Sequence, residues 1–220
     1  ENIFSVKDFY DQAYRIVIQA HSNNRIPLLV GGTMMYFNAL FKGINNIPEG
    51  NEAIREELQR ELDNRGVDKL FNELKEIDPE SAKTIKQNDK QRIMRALEVF
   101  KISGKKISDL KKEDTENIFE EFELINLGIF PSDREILQAR IRERIVEMIN
   151  MGLIREAQEI IKLDNIAKNH PALNSINYKE AIQVINGELD ANELEEKCVI
   201  STRQLVKRQL TWMRSFDFSK

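Results

Sequence analysis

Five apolar residues in a row, Ile26-Pro27-Leu28-Leu29-Val30, lead directly into Gly31-Gly32-Thr33, and this junction leaves few folds open. A continuous apolar run bounded by glycine suits a strand buried on both faces. Ahead of it, Phe9, Ala13, Ile16 and Ile18 recur at near-helical spacing and predict an amphipathic helix over 6–22. Behind it, 34–41 reads as helix again. Helix, buried strand, glycine turn and helix make one step of a doubly wound α/β sheet. A second run, FELINLGIF at 122–130, predicts a second strand, and Pro131-Ser132-Asp133 opens a further helix with Ser132 or Asp133 as its cap.

Between the two strands the pattern is helical from Glu52 to Gly104, broken at Gly66, Pro79 and 86–89, with a polar, lysine-rich linker over 105–117. Helices follow at 133–151 and 153–163, then a loop with Pro171, then helices near 178–186 and 190–216. The expected fold is α/β and mostly helical: a parallel-sheet domain over 1–45 and 119–220, interrupted by an all-helical insertion at 46–118. Two strands are few for such a sheet, which usually has about four to six. The expectation is that N-terminal strands lie outside this chain.

Composition narrows the classes. Of 220 residues, 41% are hydrophobic and 32% charged, which is too apolar and too patterned for a disordered chain. No apolar run approaches the ~18 residues that cross a bilayer, and the first residues have neither the basic nor the apolar region of a signal peptide. One cysteine, Cys198, rules out an internal disulfide framework. The net charge of −4 speaks against a nucleic-acid partner, yet its distribution does not. Residues 48–82 hold 11 acids and 5 bases, whereas 83–106 hold 8 bases and 2 acids and 201–220 hold 5 bases and 1 acid. Two basic segments create a local positive field in an acidic chain; solvated helix faces of uneven charge explain the counts as well.

Four constellations could carry chemistry. Gly31-Gly32-Thr33 sits at the carboxyl end of a strand, where open α/β sheets place their sites; the alternative is a plain turn with Thr33 as helix cap. In NDKQRIMRALEVF (88–100), Ile93, Ala96, Leu97 and Phe100 share one helix face and Asn88, Gln91, Arg92 and Arg95 another. Arginine and glutamine forks match phosphates and base edges, although a stable surface helix would look similar. In the helix from Pro131, Arg144 falls within the stripe of Leu137, Ile141, Ile145 and Met148, with Arg140 at its edge. An arginine there must be paired or face an anionic ligand. In STRQLVKRQLTWMRSF (201–216), Thr202 and Gln209 interrupt an apolar line of Leu205, Trp212 and Phe216, opposite a basic line of Arg203, Lys207 and Arg214. That basic line suits a phosphate backbone or snorkelling cations on an ordinary amphipathic helix. There is no Ser-His-Asp set, no paired-cysteine site and no G-x-x-x-x-G-K-[ST].

Taken together, PLLVGGTMMYFNALFKG (27–43), NDKQRIMRALEVFKISGK (88–105), PSDREILQARIRERI (131–145) and TRQLVKRQLTWMRSF (202–216) resemble the bacterial tRNA dimethylallyltransferases, also called tRNA isopentenyltransferases. The resemblance implies a P-loop NTPase-like domain with an inserted helical domain that grips the tRNA anticodon stem-loop. It implies transfer of a dimethylallyl group from dimethylallyl diphosphate to N6 of the adenosine 3′ of the anticodon, with the base flipped out to be reached. It also implies Mg²⁺ held mainly by residues outside this chain, a cytoplasmic setting and a monomer. Carried over by position, Thr33 and Arg144 are catalytic, Thr33 at the target base and Arg144 on the diphosphate. The tRNA contacts implied are Thr33, Arg55, Gln91, Arg92, Ile93, Met94, Arg95, Asn174, Asn177, Tyr178, Lys179, Lys207, Arg208, Gln209, Thr211 and Arg214.

The chain departs from the family pattern in three places, one of them Lys86-Gln87, where the family tends to have His-Pro and from which nothing is drawn. The P-loop and the aspartate that serves as general base are expected N-terminal to residue 1, so the polypeptide alone is not expected to catalyse transfer. In NSINYK (174–179), Asn174 stands for an arginine, Asn177 for a glycine and Lys179 for an arginine. Asparagine tolerates positive φ better than most residues, so the turn can survive. The competing readings are an adenylate isopentenyltransferase, a non-catalytic RNA-binding protein and a plain helical interaction domain.

Overall fold

The computed structural model describes residues 4–113, 115, 117, 119–163 and 170–216. Residues 164–169, part of the loop expected before Pro171, lie outside the described residues, as do 114 and 116 of the expected linker and residue 118 just beyond it. The chain divides into two units, Glu1–Phe37 with Phe122–Lys220, and Asn38–Glu121. The division falls inside the helix Met34–Lys42.

Besides the end of that helix, the described residues of the second unit form α3 (Glu52–Arg65), α4 (Val67–Ile77), α5 (Pro79–Thr84), α6 (Lys90–Ser103) and α7 (Ile107–Leu110). Their boundaries follow from local chemistry. Gly66 takes φ 76° and separates α3 from α4. Asp78 caps α5, which starts on Pro79, where a missing N–H costs nothing. Asp89 caps α6 through the Arg92 N–H, and Gly104 ends it in the left-handed region at φ 68°. The core is Leu58 and Leu62 from α3, Leu70, Phe71 and Leu74 from α4, Ile93, Ala96, Leu97 and Val99 from α6, and Ile107 and Leu110 from α7. The expected polar linker over 105–117 therefore contains a helical turn whose apolar residues close this core. Two apolar residues, Ile107 and Leu110, set three apart among lysines were enough to anchor it.

The first unit is built on α1 (Val6–Ser22), the start of α2 (Met34–Lys42), α8 (Arg134–Asn150), α9 (Leu153–Ile161), α10 (Tyr178–Ile185) and α11 (Leu194–Met213). Ser5 caps α1 and Asp133 caps α8. The buried face of α1 is Tyr10, Ala13 and Val17, not the line through Ile16 and Ile18, both of which are exposed. Phe9 stacks on Tyr36 instead, with ring centroids 4.3 Å apart. Ile141 and Ile145 of α8 pack on Leu194, Cys198 and Val199 of α11. Leu153 and Ala157 of α9 pack on Ala181 of α10.

Neither expected strand is one here: no strand is assigned among the described residues. Ile26, Leu28 and Val30 are 96%, 81% and 84% exposed, and Ile125, Leu127 and Ile129 are exposed in the same alternating way. A strand exists only with a partner to pair with, and these described runs have apolar side chains with nothing covering them.

Candidate functional site

In the first unit, α11 changes character along its length. Its N-terminal half supplies Leu194, Cys198 and Val199 to the core, whereas no residue from 200 to 216 is buried. Arg203, Lys207, Arg208 and Arg214 are exposed there, without an ion-pair partner among the described residues. Lys207, Arg208, Thr211 and Trp212 line an open concavity of about 230 Å³. Trp212 stacks loosely with Phe216 at 6.4 Å. The predicted apolar line through Trp212 is thus at the surface, not in the core.

Gln209 ties this segment to the glycine turn. Its Nε2 donates to the Gly32 carbonyl at 2.9 Å. A Cβ on residue 32 would stand 2.5 Å from that nitrogen, so the approach requires glycine. Thr33 follows at the start of α2, exposed; its carbonyl accepts from the Tyr36 N–H at 2.9 Å. The Thr33 hydroxyl has no hydrogen bond among the described residues, so the capping alternative is not realised.

The 174–179 turn is held from beneath by Glu180, a residue the sequence reading passed over. Its buried carboxylate accepts from the Asn177 N–H at 2.8 Å and from the Ser201 hydroxyl of α11 at 2.6 Å. The Thr202 hydroxyl donates to the Asn177 side-chain oxygen at 3.4 Å. Asn177 adopts φ 76°, a positive value that glycine takes without strain. Asn174 and Lys179 are exposed. Tyr178 donates its hydroxyl to Glu156 at 2.8 Å, a bond that holds the phenol above its ordinary pKa. The signal for Glu180 was available in principle: an acid three residues beyond a helix cap.

Arg144 is exposed and has no ion-pair or hydrogen-bond partner among the described residues, so the buried ion pair considered above does not form. It flanks the stripe instead of lying in it: Ile141 and Ile145 are buried, and Leu137 and Met148 pack against them. Neighbouring Arg142 points to α11 and pairs with Glu195 and Glu196. Arg144 does not line the α11 concavity, nor a broader one of about 530 Å³ along Arg142, Val146, Asn150 and Met151.

In the second unit, the expected RNA-facing side of α6 divides. Gln91 and Arg92 are exposed. Ile93 is wholly buried and Met94 half-buried, so they shape the helix surface from within the core. Arg95 and Arg55 both reach Glu98, which is 2% exposed.

A family model described as IPP transferase matches residues 1–216. The chain belongs to this family. A tRNA dimethylallyltransferase from Hydrogenovibrio crunogenus is 37% identical over 211 residues, a match covering 96% of this chain and 65% of that protein. One from Francisella tularensis subsp. novicida is 40% identical over 216 residues, covering 98% and 70%. Among solved structures, the full-length tRNA isopentenylpyrophosphate transferase from Bacillus halodurans is similar with 31% identity and a TM-score of 0.61, covering 98% of this chain and 65% of that one. The chain therefore spans about two thirds of the length of these members of the IPP transferase family. No described helix is long and apolar enough to cross a membrane.

Proposed function

We propose that this chain supplies the RNA grip and part of the diphosphate site of an enzyme that prenylates tRNA. The reaction transfers a dimethylallyl group from dimethylallyl diphosphate to N6 of the adenosine 3′ of the anticodon. The observation that carries this reading is the Gln209–Gly32 hydrogen bond, which fastens the Gly31–Thr33 turn to the exposed basic segment of α11.

The chemistry needs those parts. In the transfer a C–N bond forms at N6, the allylic C–O bond breaks, and diphosphate leaves with the electron pair. The N6 proton passes to a base that is not among the residues assigned here. N6 is a weak nucleophile because its lone pair is delocalised, so catalysis rests on stabilising the leaving charge. Arg144, exposed and without a partner among the described residues, is free to take that anion. Thr33, with an unengaged hydroxyl, lies at the glycine turn where the flipped base would be read. The exposed cations of α11 and the first turn of α6 meet the RNA backbone.

The runs 26–30 and 122–130 are proposed as strands of a parallel, P-loop-like sheet whose neighbours are not among the described residues. Their uncovered Ile26, Leu28, Val30, Ile125, Leu127 and Ile129 support this. Mg²⁺ remains part of the proposal for the whole enzyme only. Among the described residues no three His, Cys, Asp or Glu side chains converge. The monomeric state and a cytoplasmic setting belong to the same proposal.

The test is a titration of the chain with a labelled anticodon stem-loop RNA at several salt concentrations, with AMP as competitor. The logarithm of the association constant is expected to fall linearly with the logarithm of salt, and AMP is not expected to compete. RNA affinity that is absent or independent of salt overturns the reading; displacement by AMP favours a free-nucleotide substrate instead.

A further inference from the structure

One buried carboxylate in the insertion organises two of the arginines assigned to RNA. Glu98 lies in the middle of α6, 2% exposed, among core residues. Its Oε1 accepts from Arg55 Nε at 2.8 Å and from the Asn51 N–H at 2.9 Å. Its Oε2 accepts from Arg95 Nη1 at 2.5 Å, and Arg95 Nη2 donates to the Pro48 carbonyl at 2.6 Å. Three separate pieces of chain, the 48–51 loop, α3 and α6, thus meet on one side chain.

The arrangement does more than neutralise a charge. A guanidinium carries five N–H donors in a rigid fork. Arg55 gives one to Glu98 and Arg95 gives one to Glu98 and one to Pro48, so most of their donors remain free. Both side chains stay partly open to solvent, 49% for Arg55 and 33% for Arg95. Because they bond the two oxygens of a single carboxylate, the guanidiniums are held side by side. Gly50 completes the fit: a Cβ there would lie 1.7 Å from an Arg55 terminal nitrogen. The glycine is what lets that guanidinium rest across the loop backbone.

We infer that Glu98 is a positioning residue: it holds Arg55 and Arg95 as one preorganised fork for a single phosphate of the bound RNA, with Gly50 making room for it. This rests on the RNA-binding reading above. Fixing the two side chains before binding removes the ordering cost that free arginines pay at an interface. The carboxylate therefore helps bind a polyanion although its own charge opposes one.

That opposition gives the test its sign. Glu98→Gln keeps the shape and adds one unit of positive charge. If the carboxylate matters only as charge, stem-loop RNA binds more tightly and the salt slope steepens. If it positions the fork, affinity falls about tenfold, the lower range for a lost hydrogen bond to a charged group, and the slope falls by about one. Tighter binding overturns the inference. Should Glu98→Gln unfold the chain, Gly50→Ala decides: it displaces the Arg55 guanidinium without touching the core or the charge. It is expected to match the loss in Arg55→Ala, and the double variant to lose no more than either. Unchanged binding in Gly50→Ala overturns the inference. A readout without RNA separates this from the functional reading: the Arg55 Nε–H should be protected from solvent exchange in the free chain by NMR. Fast exchange refutes the fork itself, whereas a protected Nε–H with no RNA binding by the wild-type chain sinks the functional reading on which the inference rests.

Discussion

Replacing Gly32 with alanine tests whether the glycine turn and α11 act together. The new Cβ would sit 2.5 Å from Gln209 Nε2 and 3.6 Å from its Cδ. Ordinary contact begins near 3.4 Å, so the amide must retreat by about 1 Å, which breaks its bond of 2.9 Å to the Gly32 carbonyl. The backbone of residue 32 is not in the positive-φ region, so alanine strains nothing else. The bond is exposed and neutral, and its net worth is about 1 kcal/mol. In a chain of this length that lowers Tm by roughly 2–4 °C. If the bond also holds the RNA-competent arrangement, stem-loop affinity falls by about fivefold. Gln209→Ala breaks the same bond without the clash and is expected to give a similar loss. The double variant discriminates: with Gln209 shortened, the alanine has nothing to strike, and its effect should nearly vanish. A double-mutant cycle on both Tm and RNA affinity reads the coupling. Additive losses would mean that the two residues do not meet, and the link between turn and helix fails.

Four further outcomes follow from the geometry. Asp78 is buried and accepts from the Ser81 N–H and hydroxyl and the Ser108 N–H; burial raises its pKa, but these bonds outweigh burial and hold it below 3.8. Its contribution to stability is thus complete above the unfolded-state value and lost as pH falls through the lowered native one, so Asp78→Asn should cost roughly 1–3 kcal/mol near neutrality and flatten the acid limb of the stability profile. Asn177→Ala should lower Tm by a few degrees, since a side chain without asparagine's tolerance of φ 76° costs about 1 kcal/mol and Thr202 loses its acceptor, whereas Asn177→Gly, which loses the same acceptor but accepts the backbone, should be closer to neutral. Burial, and secondarily the nearby Glu180 charge, pushes the Cys198 thiol up to about 12, so a thiol reagent at pH 8 should label it only in urea; stoichiometric labelling of the native chain contradicts the packing. In the full-length enzyme, Arg144→Ala should weaken binding of inorganic diphosphate far more than binding of stem-loop RNA, and equal losses refute its assignment to the leaving group.

What the sequence made legible was local. Helix ends were written in single residues: Gly66, Pro79, Gly104 and the cap Asp133 stop or start helices by backbone chemistry that needs no tertiary partner. Phase was harder than period. The spacing in 6–22 announced a helix, but only packing chose Tyr10, Ala13 and Val17 over Ile16 and Ile18 as its buried side. The two expected strands are not formed for a related reason: an apolar run bounded by glycine marks readiness to pair, while a ladder needs a neighbour. Charge was the least legible. The excess of bases over 83–106 looks like one field, yet acidic partners, near and far in sequence, divide it. Lys101 is taken by Glu57 and Glu61 at 2.8 and 3.4 Å, Lys105 by Glu113 at 3.2 Å, and Arg95 by Glu98. Arg92 keeps only a loose contact with Asp89 at 3.5 Å. Lys83, Lys86, Lys90 and Lys106 have no acidic partner among the described residues. Three of those four lysines lie from α5 to the first turn of α6, beside Gln91 and Arg92. The salt dependence of RNA binding by this segment should therefore count these few cations and the Glu98 fork, not all eight bases of its composition.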